Sequence, residues 1–340
     1  MRLGQEFGPF VLLYSLAHGG ISMIHRAKFL WHHDLPDVVV KRLKAPYNED
    51  RDFVQMLADE AELMNQLRHP NIVEVHEFGQ VGDQHFLATE FVDGINLRQL
   101  LRRAQRHHRQ VKIEVGLFVL TQALSGLHYA HCVDRSLVHR DFTPSNLMVS
   151  FNGAVKLIDF GIAKSRLAKT RTRGGVIKGK LKYMSPEQTR GTQTTPQSDL
   201  FSAGVVAYEL MTGLMPFDDS SEAEIIRQIR HEAHRPASLY NAGLDHEFDA
   251  IIDCALAKAP GDRFASVEVF SHRLLEWAQA NGLMVEPQAL SEFAADLFAQ
   301  ERRESRMQLD TLEFSATCSS SSEYTRIAGT GYGLSTTSDD

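Results

Sequence analysis

The stretch His139-Arg140-Asp141-Phe142-Thr143-Pro144-Ser145-Asn146, followed by Lys156-Leu157-Ile158-Asp159-Phe160-Gly161, decides how the rest of the chain is read. It holds two carboxylates and one carboxamide in a span without helical periodicity. An Asp in a turn commonly just caps backbone N–H groups. That reading would account for any one of the three residues, but not for all three at these spacings. Phosphoryl transfer, by contrast, needs a carboxylate beside the acceptor hydroxyl and oxygen ligands for Mg2+. Asp141 suits the first role, and Asn146 and Asp159 suit the second.

Upstream of this stretch the pattern is mostly of strands. Residues 10–16 and 22–29 are β-rich runs joined through Gly19-Gly20, a hairpin signal, and 37–43 is dense in valine. Residues 52–67 read as a helix with Phe53, Met56, Leu57, Leu63, Met64 and Leu67 on its apolar stripe. His69-Pro70-Asn71 stops that helix, because proline cannot continue the hydrogen bonding. Runs at 72–78 and 84–92 complete an antiparallel sheet. Beyond Asn96 helices dominate, at 97–105, 115–130, 199–212, 222–230, 248–256 and 267–280. Between the second and third lies a long irregular stretch, 133–195, and so long a connection is usually functional. A further amphipathic segment covers 289–306, with Leu290, Phe293, Ala294, Leu297 and Phe298 on one face. After Phe314 the composition turns to Ser, Thr and Gly, which predicts disorder over 315–340.

Bulk properties exclude several classes. The net charge of -7 over 340 residues gives no basic field for nucleic acid. Cys132, Cys254 and Cys318 are far apart, show no metal-ligand spacing and cannot all pair, which fits a reducing compartment. The opening residues Met1-Arg2-Leu3-Gly4-Gln5-Glu6 do not read as a signal peptide, and no apolar run is long enough to span a bilayer. A cytoplasmic protein is expected. His107-His108, among Arg102, Arg103, Arg106 and Arg109, reads as a solvated helix face.

Further matches are Val38-Val39-Val40-Lys41, Ser185-Pro186-Glu187, Ser198-Asp199-Leu200-Phe201-Ser202-Ala203-Gly204 and Gly261-Asp262-Arg263-Phe264. With these in order, the chain resembles bacterial Ser/Thr protein kinases of the eukaryotic-like type over roughly residues 7–280. The resemblance implies an α+β, bilobal protein kinase fold, with a five-stranded antiparallel N-lobe carrying one helix and a mainly helical C-lobe. The N-lobe would cover 7–92 and the C-lobe 93–282, followed by a helical extension over 283–314 and the tail. It implies a signalling enzyme that transfers the γ-phosphate of ATP, with Mg2+, to protein Ser or Thr. Pro144 is retained and the Tyr-kinase type of catalytic loop is absent. The alternatives are a pseudokinase that serves as a nucleotide-binding scaffold, and a small-molecule kinase, against which Ser185-Pro186-Glu187 and the Asp199 helix speak.

Residues two apart on a strand share a face, so Val39 and Lys41 look the same way. By resemblance Lys41 binds the α/β-phosphates and pairs with a helical glutamate. Glu60 has Met56, Leu57, Leu63 and Met64 three and four residues away, whereas Glu62 has Ala58, Asp59, Asn65 and Gln66. A carboxylate on an apolar stripe needs a partner, which selects Glu60. The resemblance also implies a nucleotide site of Leu16, Gly19, Gly20, Ile24 and Val39, with Thr89 as gatekeeper and the backbone of Glu90 and Val92 reading the adenine edge. Ala17-His18-Gly19-Gly20-Ile21-Ser22 stands where the family has G-x-G-x-x-G, with Ala17 and Ser22 for the outer glycines. Glu187 with Arg263, and Asp199, are implied to be structural. Gly174-Gly175-Val176-Ile177-Lys178-Gly179-Lys180 fits the start of a P-loop, but Leu181 stands where Ser or Thr is needed, no strand precedes it and no helix is expected to follow.

Two departures from the family pattern matter. Thr143 stands two residues after Asp141, where the family has Lys, and Lys180 stands after Gly179, where the family has Thr. In typical members that Lys and Thr lie together, so the two residue types have exchanged places, and Lys180 is a candidate for the missing cation at the γ-phosphate; the alternative is drift, with Lys180 pointing to solvent. The segment around it is basic, with Lys164, Arg166, Lys169, Arg171, Arg173, Lys178, Lys180 and Lys182. Arg140 beside Asp141 implies ordering by phosphorylation, expected at Thr170 or Thr172. Further acceptors are expected among Ser319–Ser322 and Thr336–Ser338. Expected partners are Ser/Thr protein substrates and an upstream regulator docking on the 289–306 helix, unless that helix packs on the C-lobe.

Overall fold

The computed structural model describes residues 4–32, 34–134, 137–160, 176–299 and 324–328. They fall into two compact units. The first runs to Arg68 and adds Val73–Phe91 and a strand from the tail; the second holds His69–Ile72 and Val92–Ala299.

The first unit is built on an antiparallel sheet in the order β1 (Gln5–Phe7), β2 (Phe10–His18), β3 (Ser22–Phe29), β4 (Val38–Leu43), β6 (Gln84–Glu90), β5 (Val75–Val81), β10 (Tyr324–Ala328). Seven strands stand where the sequence predicts five. The additions are β1 and β10, one at each edge. Tyr-Thr-Arg-Ile-Ala suits an extended pairing segment, and β5 offers an edge of unpaired backbone groups to receive it. The prediction of disorder over 315–340 is therefore corrected at these five residues: average composition hid one short β-rich run.

One sheet face carries a core of Phe7, Phe10, Leu12, Ala27, Phe29, Val38, Val40, Phe86 and Ala88, with Phe10 and Phe86 edge to face at 5.4 Å. Because side chains alternate, burying Val38 and Val40 turns Val39 and Lys41 to the other face. The helix α1 (Arg51–Asn65) packs on β5 and β6. Asp50 caps it by accepting from the Asp52 N–H, and Phe53, Met56, Leu57, Glu60, Ala61 and Met64 are its buried residues. The predicted strand at 72–78 begins only at Val75, because Ile72 is taken by a parallel bridge to Leu157.

The second unit surrounds two helices that are buried nearly all round, α3 (Ile113–Val133) and α6 (Pro196–Thr212), as expected of helices that lack a polar face. Beside them lie α2 (Leu97–Arg106), α7 (Glu222–His231), α8 (His246–Ala255) and α9 (Val267–Ala280). The stretch 133–195, predicted irregular, contains β8 (Leu147–Ser150) and β9 (Val155–Leu157), which form a small sheet with β7 (Gly94–Asn96). It also contains the short helices α4 (Val176–Leu181) and α5 (Pro186–Arg190). A helix thus lies within the P-loop-like stretch where none was expected.

The last helix, α10 (Pro287–Leu297), buries Leu290, Phe293, Ala294 and Leu297 against α2 and α3. Ser291 donates to the Phe151 carbonyl at 2.7 Å. Arg103 lies over Phe298, and Arg109 lies over Phe293 and pairs with Asp296. Two expectations change. The apolar face offered for regulator docking is covered by α2 and α3 as far as Leu297, with 300–306 outside the described residues, and part of the arginine run read as solvated holds α10 in place. No described helix is long and apolar enough to cross a membrane.

Candidate active site

The loop after α3 is organised from below by Asp199 of α6, which is 1% exposed. Its Oδ2 accepts from His139 N at 2.7 Å and its Oδ1 from Arg140 N at 2.8 Å. His131 Nε2 lies 2.9 Å from the same Oδ2. The buried His139 ring packs on Phe160, and its Nδ1 accepts from Asp141 N at 3.3 Å. These bonds hold Arg140 at φ +64°, a left-handed conformation that costs a non-glycine residue about 1–3 kcal/mol. Asp159 has the same strained backbone, at φ +53°.

Asp141 is presented at the next position and is 7% exposed. Asn146, at the end of the turn Pro144–Asn146, donates Nδ2 to the Asp141 carbonyl at 2.9 Å and to Asp141 Oδ2 at 2.6 Å. That fixes the orientation of its amide, and its Oδ1 accepts no hydrogen bond among the described residues. Ile158 N donates to the Asn146 carbonyl at 2.9 Å, tying the Asp159 segment to this loop. Lys180 reaches Asp141 Oδ2 with its ammonium at 2.9 Å. Thr143 is buried, and its hydroxyl has no partner among the described residues.

The segment after Lys180 is pinned at three places. Tyr183 donates to Glu209 Oε2 at 2.5 Å, and Arg98 donates to Glu209 Oε1 at 2.6 Å and to the Tyr183 hydroxyl. Ser185 and Gln188 form a capping box on α5, and Gln188 Nε2 also donates to the Arg140 carbonyl at 2.9 Å. Glu187 is gripped by Arg263 and accepts from the Ser198 hydroxyl at 2.8 Å. Burial alone would raise the Glu187 carboxyl, but the Arg263 hydrogen bonds and charge outweigh it and hold it below its ordinary value. At Glu209 burial wins, and the carboxyl is pushed up despite Arg98. Sequence reasoning missed the cluster of Arg98, Tyr183 and Glu209. The signal was a second carboxylate, Glu209, set among the apolar residues of the last turns of α6.

In the first unit, Lys41 donates to both oxygens of Glu60, at 3.0 and 3.1 Å. Glu60 is buried and Glu62 exposed, as the helical-face reading predicts. In register, Lys41 stands between Ile24 and Leu87, and Val39 between Arg26 and Thr89. Opposed residues share a face, so Ile24, Val39, Lys41 and Thr89 lie on one side of the sheet. Gly19 and Gly20 form the turn between β2 and β3, and a Cβ at Gly20 would meet nothing within 4 Å. Lys44 donates to the Gly19 carbonyl at 2.6 Å. Leu16 is exposed near the end of β2, where the register shifts. Glu90 ends β6 and donates its N–H to the Glu74 carbonyl at 2.8 Å, whereas Val92 belongs to the second unit. Arg26, not singled out from sequence, pairs with Asp37, donates to the Tyr14 hydroxyl at 3.1 Å and lies over Phe91. Gly161, Thr170 and Thr172 lie outside the described residues.

A profile of the protein kinase domain matches residues 14–275. The chain is 36% identical over 319 residues to the tyrosine-protein kinase MasK of Myxococcus xanthus, covering 91% of this chain and 49% of that protein. It is 31% identical over 271 residues to the serine/threonine-protein kinase PrkC of Bacillus subtilis, covering 79% of this chain and 40% of that protein. The chain thus spans about half, or less, of these curated relatives. Among solved structures, the kinase domain of Mycobacterium tuberculosis PknI is similar, with a TM-score of 0.63 and 25% identity over 82% of this chain and 99% of that one.

Proposed function

The chain belongs to the protein kinase domain family, and on that premise we propose that it is a cytoplasmic Ser/Thr kinase that transfers the γ-phosphate of Mg-ATP to protein hydroxyls. The observation that carries this reading is the buried loop in which Asn146 and Lys180 both hold one oxygen of Asp141. Such a carboxylate is oriented to accept the proton of an acceptor hydroxyl. The residues also fit Mg2+, a hard ion that takes one or two protein oxygens and completes its shell with phosphate and water. Asn146 Oδ1 and the Asp159 carboxylate are those oxygens, and among the described residues no larger cluster of ligands competes with them. When bound, Mg2+ supplies positive charge to the phosphates.

Lys41, held by Glu60, takes the α/β-phosphates. The open turn at Gly19 and Gly20 lets backbone approach them, Leu16, Ile24 and Val39 take the adenine, and backbone groups of Glu90 and Val92 read its edge. Arg140 Nε is buried without a partner among the described residues, which supports a role in receiving phospho-Thr170 or phospho-Thr172 after autophosphorylation.

A second reading, transfer to tyrosine, is favoured by the name of the Myxococcus xanthus relative. Radiolabel transfer from γ-labelled ATP to a generic basic protein, with Asp141→Asn as the blank, separates the readings. Label on serine and threonine in the wild type alone supports the proposal. Label on tyrosine replaces its acceptor class, and equal label in both proteins leaves only a nucleotide-binding scaffold.

A further inference from the structure

Thr143 and Lys180 depart from the family pattern together, and the structure shows where each side chain lies. Thr143, in the place of the usual lysine, is buried, its hydroxyl has no partner among the described residues, and its carbonyl is engaged by Asn146 N at 2.9 Å. The ammonium of Lys180, on α4, lies 2.9 Å from Asp141 Oδ2. We propose that Lys180 is a catalytic residue of the transfer step, the cation that spans Asp141 and the terminal phosphoryl group of ATP. This inference rests on the kinase reading above.

The balance of the step assigns Lys180 a purely electrostatic part. The acceptor oxygen bonds to the γ-phosphorus as the bond from that phosphorus to the β–γ bridging oxygen breaks. The electron pair of that bond leaves with ADP, and the hydroxyl proton passes to Asp141. Lys180 neither gains nor loses a proton; it stabilises charge on the oxygens in flight.

A structural ion pair is the competing account, and magnitude separates the two. The Lys180 side chain is 33% exposed, and an ion pair whose cation is open to water adds little to stability. A cation acting on the transferring group is worth about tenfold or more in rate. The position of Lys180 also differs in kind from that of a lysine in the catalytic loop. It lies on α4, five residues before Ser185, and its carbonyl accepts from Tyr183 N at 3.1 Å. The cation is therefore delivered by the segment that Tyr183, Ser185 and Glu187 pin, so placing that segment and charging the site are one event.

The test compares wild type, Lys180→Ala, Lys180→Thr and the reciprocal double variant Thr143→Lys/Lys180→Thr in the full chain. Calorimetry measures affinity for ADP and for the non-hydrolysable β,γ-imido analogue of ATP, beside kcat and thermal midpoint. Lys180→Ala should lower kcat by about tenfold or more and lower the analogue-to-ADP affinity ratio severalfold, with ADP affinity and midpoint held. The double variant should recover both the rate and the ratio, while Lys180→Thr alone stays low. A kcat within about twofold of wild type, a rise in kcat on removing Lys180, or equal weakening of ADP and analogue overturns the proposal. Failure of the kinase reading looks different: wild type then transfers no phosphate, while the affinity ratio still reports whether Lys180 meets the terminal phosphate. A wild type that binds neither nucleotide overturns both.

Discussion

Arg263 donates one hydrogen bond to each oxygen of Glu187, Nη1 to Oε1 at 2.8 Å and Nη2 to Oε2 at 3.0 Å, although the two residues are 76 positions apart. The same guanidinium donates to the carbonyls of Gln197, Ala257 and Lys258, so one side chain ties α5, the start of α6 and the turn after α8. Removing one partner of a fully buried pair leaves an uncompensated charge. Arg263→Met should destabilise the second unit by about 3–5 kcal/mol, measured by urea denaturation. A loss below about 1 kcal/mol would mean that the pair is not structural.

Lys41 and Glu60 permit a separation of stability from activity. Lys41→Met should reduce phosphate transfer about a hundredfold or more, and it should also lower the thermal midpoint, because Glu60 stays buried without its cation. Adding Glu60→Leu should restore the midpoint and leave transfer lost. Recovery of activity in the double variant would contradict the assignment of Lys41 to the phosphates.

His25 gives the first unit an acid sensitivity. Its ring faces the sheet core opposite Val40, and burial, helped by the charges of Arg42 and His18, lowers its pKa to about 4. The unfolded chain therefore takes up the proton first, near pH 6.5, and stability falls as pH drops from there toward 4. The loss by pH 5 should be about 2 kcal/mol relative to pH 7. Midpoints of wild type and His25→Leu, followed from pH 7 to pH 5, should diverge as the wild type weakens. Parallel curves would show that His25 titrates normally.

Phe293 anchors α10 beneath Arg109. Phe293→Ala should cost about 3 kcal/mol in denaturant. A change under about 0.5 kcal/mol would show that the helix is loosely held and that its apolar face is open to a partner after all.

Legibility in the sequence followed locality. The meeting of Asp141 with Asn146 was readable because their spacing is short, and the burial of Glu60 because a helix converts spacing into a face. Glu209 was not, since its partner Arg98 lies 111 residues away and only packing brings them together. The strands β8 and β9 have four and three residues, too few for alternation to register. Arg26 was passed over because an arginine on a strand is ordinary until Asp37, Tyr14 and Phe91 surround it. Lys180 was found through its exchange with Thr143; its contact with Asp141 needed the fold.

The sheet of the first unit is bounded by its two shortest additions, β1 with three residues and β10 with five. Each occupies a margin where the backbone of another molecule could otherwise hydrogen-bond in register. The register of β10 on β5 is broken between Arg326 and Ala328, which limits how far a further strand could extend the ladder. A strand from another molecule therefore meets a short or irregular edge instead of the full length of β2 or β5, so shortening the tail before Tyr324 would offer the longer, regular edge of β5 as a template.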